Sequence, residues 1–113
     1  MNLNNKEILE TANQAVTDGN YEGFLTYCTE DTKWEFVGDQ ILKGKQAVRE
    51  YMTKEYIEPP INNVENLIAE GDYLTAVGKI SMKNNDGKVT EYSYCDVWKF
   101  KDGKMAELKA FVI

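Results

Sequence analysis

Thr90-Glu91-Tyr92-Ser93-Tyr94-Cys95-Asp96-Val97-Trp98-Lys99-Phe100 alternates with a period of two. That period predicts a β-strand with Tyr92, Tyr94, Asp96, Trp98 and Phe100 on one face and Glu91, Ser93, Cys95, Val97 and Lys99 on the other. The first face carries four aromatic rings and a single acid. Such a face has to be covered by the rest of the molecule, and a carboxylate among the rings loses hydration unless it is protonated, hydrogen-bonded or wetted by a cavity. Two roles follow for Asp96. It is an acid of raised pKa lining an apolar pocket, able to give a proton to a bound carbonyl or enol or take one from it, or it is a structural aspartate held by a tyrosine hydroxyl or backbone amides.

Outward from this strand the period of two persists from Pro60 to the end of the chain, broken by Gly71-Asp72, Asn84-Asn85-Asp86-Gly87 and Asp102-Gly103, all hairpin turn sequences. Four antiparallel strands are predicted, over about 62–70, 73–83, 89–101 and 104–113. Before Pro59-Pro60 the pattern is helical. Ile8, Leu9, Ala12, Ala15 and Val16 mark one face of a first helix, capped by Asn4 or Asn5 and ended by Asp18-Gly19. Asn20 caps a second, whose face holds Tyr21, Phe24, Leu25 and Cys28 and whose exit is Glu30-Asp31. Lys33 to Val37 alternates as a strand, and a loop runs from Gly38-Asp39 to Gly44. A third helix from Lys45 turns Ala47, Val48, Tyr51 and Met52 inward and is stopped by Pro59-Pro60. Helices first and a meander afterwards predict an α+β fold, with the helices on one face of a curved antiparallel sheet.

At 113 residues, 42% hydrophobic and 28% charged, the chain is expected to form one domain over residues 1–113. The net charge is −6 and Arg49 is the only arginine, which argues against a nucleic-acid partner. No apolar run has a membrane helix's length, and Met1 to Glu10 lacks a signal peptide's basic start and hydrophobic block, so a cytoplasmic location and no membrane partner are expected. The absence of histidine excludes the usual zinc sites and Ser-His-Asp or Cys-His catalysis. Cys28 and Cys95 have no metal-type spacing and are expected as reduced packing residues. No metal and no organic cofactor are expected, which leaves chemistry to carboxylates, tyrosines, lysines or thiols.

The same parity sketches the walls around Asp96. Trp34 and Phe36 share a face of the first strand, Leu74, Ala76, Gly78, Ile80 and Met82 one face of the third, and Ala106, Leu108, Ala110 and Val112 one face of the last. The small residues Ala12, Ala76, Gly78, Ala106 and Ala110 leave room for a ligand or serve as the small partners of a close-packed core. Asp39 is placed either to guard a pocket mouth or as an ordinary turn residue. Arg49 with Glu50 and Lys45 with Glu55 form a solvated helix face, and Tyr27, Tyr51 and Tyr56 are expected at the edge of the core rather than as catalytic acids.

Gly44-Lys45-Gln46-Ala47-Val48-Arg49-Glu50-Tyr51, opening the third helix, and Tyr94-Cys95-Asp96-Val97-Trp98-Lys99-Phe100-Lys101-Asp102-Gly103-Lys104-Met105, spanning the last hairpin, carry a resemblance. In that order the chain resembles, over nearly its whole length, the SnoaL-like branch of the nuclear transport factor 2-like superfamily. The resemblance implies a cone: a strongly curved, mixed or antiparallel sheet closed by three helices around a deep pocket, often dimerising through the sheet's outer face. The superfamily includes polyketide cyclases, ketosteroid isomerase, limonene epoxide hydrolase and scytalone dehydratase beside members that only bind or scaffold, so fold alone does not fix activity. In ketosteroid isomerase the penultimate strand carries a protonated aspartic acid, and its Asp-Val-x-x-Phe setting matches Asp96-Val97-Trp98-Lys99-Phe100. Its other two catalytic positions are not matched. Phe36 stands where the isomerase has its general base and Ala12 where its first helix has a tyrosine. Scytalone dehydratase's histidines are absent, and Arg49 is on the wrong element for the epoxide hydrolase's Asp-Arg-Asp arrangement.

The expectation is a SnoaL-like protein that binds a small apolar molecule, aromatic or polyketide-like. Trp34, Phe36, Tyr92, Tyr94 and Trp98 would wall the pocket, Ala12 and Val112 would add to its lining, and Asp96 would anchor the ligand and move a proton in an isomerase, cyclase or dehydratase reaction. A homodimer is expected. The alternative is a non-catalytic ligand-binding or dimerisation module whose outer sheet face, around Ser93, Cys95 and Val97, meets a partner.

Overall fold

The computed structural model describes residues 4–113, so the first three positions of the expected 1–113 domain lie outside the described residues. Asn4 starts helix α1 (Asn5–Thr17) with a capping box: its Oδ1 accepts from the Glu7 amide at 2.9 Å, and Glu7 Oε1 accepts from the Asn4 amide at 3.3 Å. Ile8, Leu9 and Ala12 form the buried stripe of this helix. The Asn20 side chain caps α2 (Tyr21–Leu25) through the Gly23 amide. The remaining elements are β1 (Cys28–Phe36), β2 (Gln40–Lys43), α3 (Lys45–Glu55), β3 (Ile61–Glu70), β4 (Tyr73–Lys83), β5 (Val89–Lys101) and β6 (Lys104–Val112).

The first half of the chain departs from expectation in four places. Helix α2 ends at Leu25 rather than continuing through Cys28, and β1 begins at Cys28, so Glu30 and Asp31 lie inside a strand instead of at a helix exit. The cause is tertiary: Cys28 pairs with Met105 across β6, and the Thr32 hydroxyl donates to the Met105 carbonyl at 3.1 Å. The expected loop from Gly38 to Gly44 contains β2, which folds back on β1 from Phe36↔Gln40 to Lys33↔Lys43. Helix α3 stops at Glu55, capped by Tyr56, before the prolines are reached.

The six strands form one sheet in the order β2-β1-β6-β5-β4-β3, with every neighbouring pair antiparallel except β1 and β6. The sheet is therefore mixed. It is curved and open, and bulges in β3 between Val64 and Asn66 and at the start of the β5–β6 pairing add local bend. The second bulge corrects the expected face of β6. Phe100 pairs with Met105 while Lys99 pairs with Glu107, so Met105 takes the buried place and Ala106 turns to a surface depression beside Lys33 and Glu107. Leu108 and Ala110 remain inward.

Helix α3 packs on β1 and β2, and α1 on α2 and β3, which leaves the middle of the sheet's inner face open between them. Gly78 lets β3 approach β4 closely, since a Cβ there would meet the Asn63 carbonyl oxygen. Cys28 and Cys95 are both free thiols. Among the described residues no helix is long and apolar enough to cross a membrane.

Candidate functional site

A cavity of about 540 Å³ lies between the helices and the inner face of the sheet. That size falls within the range of small-molecule sites, roughly 300–1,000 Å³. Asp96 reaches it from the middle of β5. Its cross-strand neighbours are Ala76 on β4 and Ala110 on β6, and Phe36 is the next residue in the same row on β1. Two alanine methyl groups leave space around the carboxyl and offer it no hydrogen bond. Among the described residues no cation or donor offsets its burial, which raises the Asp96 pKa from 3.8 to about 7.

The structural role open to Asp96, a carboxylate held by a tyrosine hydroxyl or by backbone amides, is not realised among the described residues. Tyr94, two positions away on the same face of β5, donates its hydroxyl proton to Asn62 Oδ1 at 2.6 Å instead. Burial and the charge of Asp96 push the Tyr94 phenol up to about 12. Asp96 stays unpaired and half-buried, facing the cavity.

The aromatic wall is built around Trp34 on β1. Its indole meets Phe24, Phe36, Tyr51 and Trp98 edge-on or nearly so, at centroid distances of 5.7, 6.3, 6.5 and 5.9 Å. Its Nε1 is buried and has no hydrogen-bond partner among the described residues. Trp34, Phe36, Tyr92, Tyr94, Trp98 and Val112 all line the cavity together with Asp96. Ala12 does not. It is fully buried in the α1 stripe, and the part of α1 that reaches the cavity is one turn further on, at Asn13, Val16 and Thr17. Helical periodicity identifies the inward stripe, but not which end of that stripe meets the open part of the sheet.

Tyr51 and Tyr56, expected at the core edge, also line the cavity. The Tyr56 ring stands 5.5 Å from Tyr21 and 6.0 Å from Tyr51, and burial, then the charges of Tyr51 and Asp96, hold its phenol well above the ordinary tyrosine range. Burial with the nearby charges of Glu55 and Asp39 pushes Tyr51 up to about 12. Asn62 is a further lining residue that the sequence pattern did not single out. Its signal is an amide on the inward parity of a strand: it pairs with Ile80, an inner-face residue of β4.

Asp39 borders the cavity, as do Lys54, Glu55, Lys83, Asn84 and Asn85. The Lys83 ammonium lies 3.8 Å from Glu58. Arg49 is engaged elsewhere, in a two-point pair with Glu22 at 2.7 and 3.0 Å on the helix surface. Among the described residues no group of three or more cysteine, aspartate or glutamate side chains is placed to hold a metal ion.

A family model described as SnoaL-like domain matches residues 9–108. No curated protein matches the chain. Among solved structures it is similar to the epoxide hydrolase/cyclase-like enzyme SalBIII, which acts in pyran ring formation in the polyether salinomycin: 22% identity, TM-score 0.88, over 96% of this chain and 89% of that one. TerC, co-crystallised with polyporic acid, matches with 16% identity and a TM-score of 0.83 over 96% and 91%. A putative SnoaL-like polyketide cyclase from Shewanella putrefaciens CN-32 matches with 12% identity and a TM-score of 0.82 over 95% and 88%. At these identities the likeness is one of fold.

Proposed function

The chain belongs to the SnoaL-like domain family, and from that premise we propose that its cavity binds a small apolar molecule carrying a carbonyl or phenolic oxygen, on which Asp96 acts as acid and base. The observation that carries this is the unpaired Asp96 carboxyl between two alanines on the cavity wall. A pKa of about 7 lets both protonation states exist near neutrality, the condition under which one group can take a proton and return it. The reaction class is proton transfer beside a carbonyl: isomerisation, aldol-type cyclisation or dehydration. The carboxylate removes a proton from the carbon next to the carbonyl, the C–H electron pair becomes the double bond of an enolate, and the protonated acid delivers the proton to another atom of the same molecule.

Two of the fold neighbours lend support, one an enzyme of ring formation and one crystallised with a small organic acid. The aromatic walls supply apolar contact for a planar ligand, and the polar rim admits it from water. The test is an NMR screen of phenols and enolisable ketones against the wild type and Asp96→Asn. Ligands are expected to bind the wild type at least about tenfold more tightly, a difference of about 1.4 kcal/mol, with a pH dependence centred near 7. Equal affinity and equal turnover in the two proteins would overturn the role of Asp96.

The outer face of the sheet supports a second element of the proposal, a homodimer. Ile68, Phe111 and Ile113 are 63%, 45% and 93% exposed, and Cys95 and Val97 lie half-buried beside them on the strand between β4 and β6. A second copy of the chain would cover this apolar strip.

A further inference from the structure

Asp96 approaches the cavity from the sheet, and Tyr56 approaches it from the end of helix α3. The Tyr56 backbone amide closes the helix on the Met52 carbonyl at 3.1 Å, and its ring is held against Tyr21 and Tyr51, so the side chain is fixed from both ends. Its hydroxyl has no hydrogen-bond partner among the described residues. The phenol lies close enough to Asp96 to feel its charge, yet the two groups make no bond to each other. Both groups are half-buried, and two unpaired polar groups that face one cavity from opposite layers leave a place between them for a ligand whose oxygen meets the phenol and whose neighbouring carbon meets the carboxyl. The other phenols of the wall are less well placed: Tyr92 stands on β5 itself, two turns of the pleat from Asp96 and in the same layer, so it does not face the carboxyl across the cavity. Tyr94 is engaged by Asn62, and the Tyr51 ring packs against Phe36 at 5.1 Å and Trp34 at 6.5 Å, on the β1 side of the cavity.

We propose that Tyr56 is a further catalytic residue of this site, its Oη–H donating a hydrogen bond to the carbonyl or phenolic oxygen of a ligand lodged between α3 and β5. This rests on the assignment of the cavity to proton transfer by Asp96, and adds the group that meets the charge. As the Asp96 carboxylate takes the proton from carbon, the carbonyl π pair moves onto oxygen, and the Tyr56 hydrogen bond strengthens as that oxygen becomes an enolate. When the proton returns to another atom, the pair moves back and the bond relaxes. The phenol keeps its own proton throughout, because burial and neighbouring negative charge oppose its ionisation. A planar phenol satisfies both groups at once, accepting from Tyr56 and donating to the Asp96 carboxylate, a ketone accepts from Tyr56, and a hydrocarbon of the same shape satisfies neither.

Tyr56→Phe removes the hydroxyl and keeps the ring between Tyr21 and Tyr51, and 2-naphthol and naphthalene are probes that differ only in the oxygen. The variant is expected to bind 2-naphthol about tenfold more weakly than the wild type and naphthalene equally well. Unchanged 2-naphthol affinity in the variant would overturn the role of Tyr56 while leaving that of Asp96 to its own substitution. A wild type with no preference for 2-naphthol over naphthalene would overturn both. Should the variant lose naphthalene too, the wild type decides with ¹³Cζ-labelled tyrosine. A Tyr56 resonance that moves with 2-naphthol and not with naphthalene upholds the hydrogen bond, and one that responds equally to both overturns it.

Discussion

Strand β5 carries two carboxylates five positions apart, and the two faces of the sheet make different groups of them. Glu91, on the outer face, sits opposite Ser81 and has the Lys79 ammonium 3.9 Å away, with both side chains about half exposed. Asp96, on the inner face, sits between Ala76 and Ala110 with no cation and no donor among the described residues. Odd or even position along the strand decides whether a carboxylate is a solvated ion or a desolvated acid. The outer face has charged partners such as Lys99 and Glu107 at 3.8 Å, whereas the inner face has rings and small residues.

The largest consequence concerns stability against pH. The folded chain holds the Asp96 proton more tightly than the unfolded chain does, with a pKa of about 7 against 3.8. The stabilisation from this group is therefore fully present below the unfolded value and is lost as pH rises through the folded one. Above pH 7 the ionised carboxylate costs roughly 2–4 kcal/mol, the full difference being reduced because cavity water reaches part of the group. Asparagine has no charge to bury. Urea denaturation should find Asp96→Asn more stable than the wild type by that amount at pH 8.5 and nearly equal to it near pH 4. Equal stability of the two proteins at both pH values would put Asp96 on the same footing as Glu91 and break the comparison.

The outer face is tested at Phe111, which pairs with Cys95 and is 45% exposed. If two copies meet there, an aspartate in its place puts an unpaired charge at the centre of the contact, a loss of about 2 kcal/mol or more at a dominant interface position. Sedimentation velocity should show a dimer for the wild type and a shift to monomer for Phe111→Asp, with the cavity side unaffected. A wild type that stays monomeric at high concentration would leave the outer face a solvated surface and sharpen the contrast with the inner one.

How much of the molecule is legible in its sequence follows the same division. Strands β3 to β6 follow from the residue pattern to within a residue or so, because β4 and β5 alternate and the turns Gly71-Asp72, Asn84-Asn85-Asp86-Gly87 and Asp102-Gly103 mark the boundaries between the four. The parity of β5 is enough by itself to place Asp96 among the rings. The misplaced elements depend on distant partners. Cys28 to Thr32 are a strand because β6 lies beside them, and β2 exists because its short sequence folds onto β1. The site is legible where it lies on strands and poorly so where helices close it. Helical periodicity puts Ala12 in the lining and that placement fails, since which turn of a helix overhangs the cavity is set by docking on the sheet; Tyr56 does sit at the core edge as expected, but that edge is also the cavity wall, which its side chain alone does not reveal.

The smallest effect belongs to the outer carboxylate. Glu91→Gln removes one end of a pair whose partners are 48% and 60% exposed and 3.9 Å apart, a geometry in which hydration competes directly with attraction. Exposed pairs of this kind contribute roughly 0–1 kcal/mol and are weakened further by salt. The variant should match the wild type within about 0.5 kcal/mol at pH 7 in low salt, and the two should converge in roughly 0.5 M sodium chloride. Set beside Asp96→Asn, this isolates what the inner face adds, because both substitutions exchange a carboxylate for its amide on one strand. If Glu91→Gln altered stability as strongly as Asp96→Asn, the strand itself rather than the cavity would govern both groups. If the outer change is small and salt-sensitive while the inner one is large and pH-sensitive, the difference lies in the missing water around Asp96.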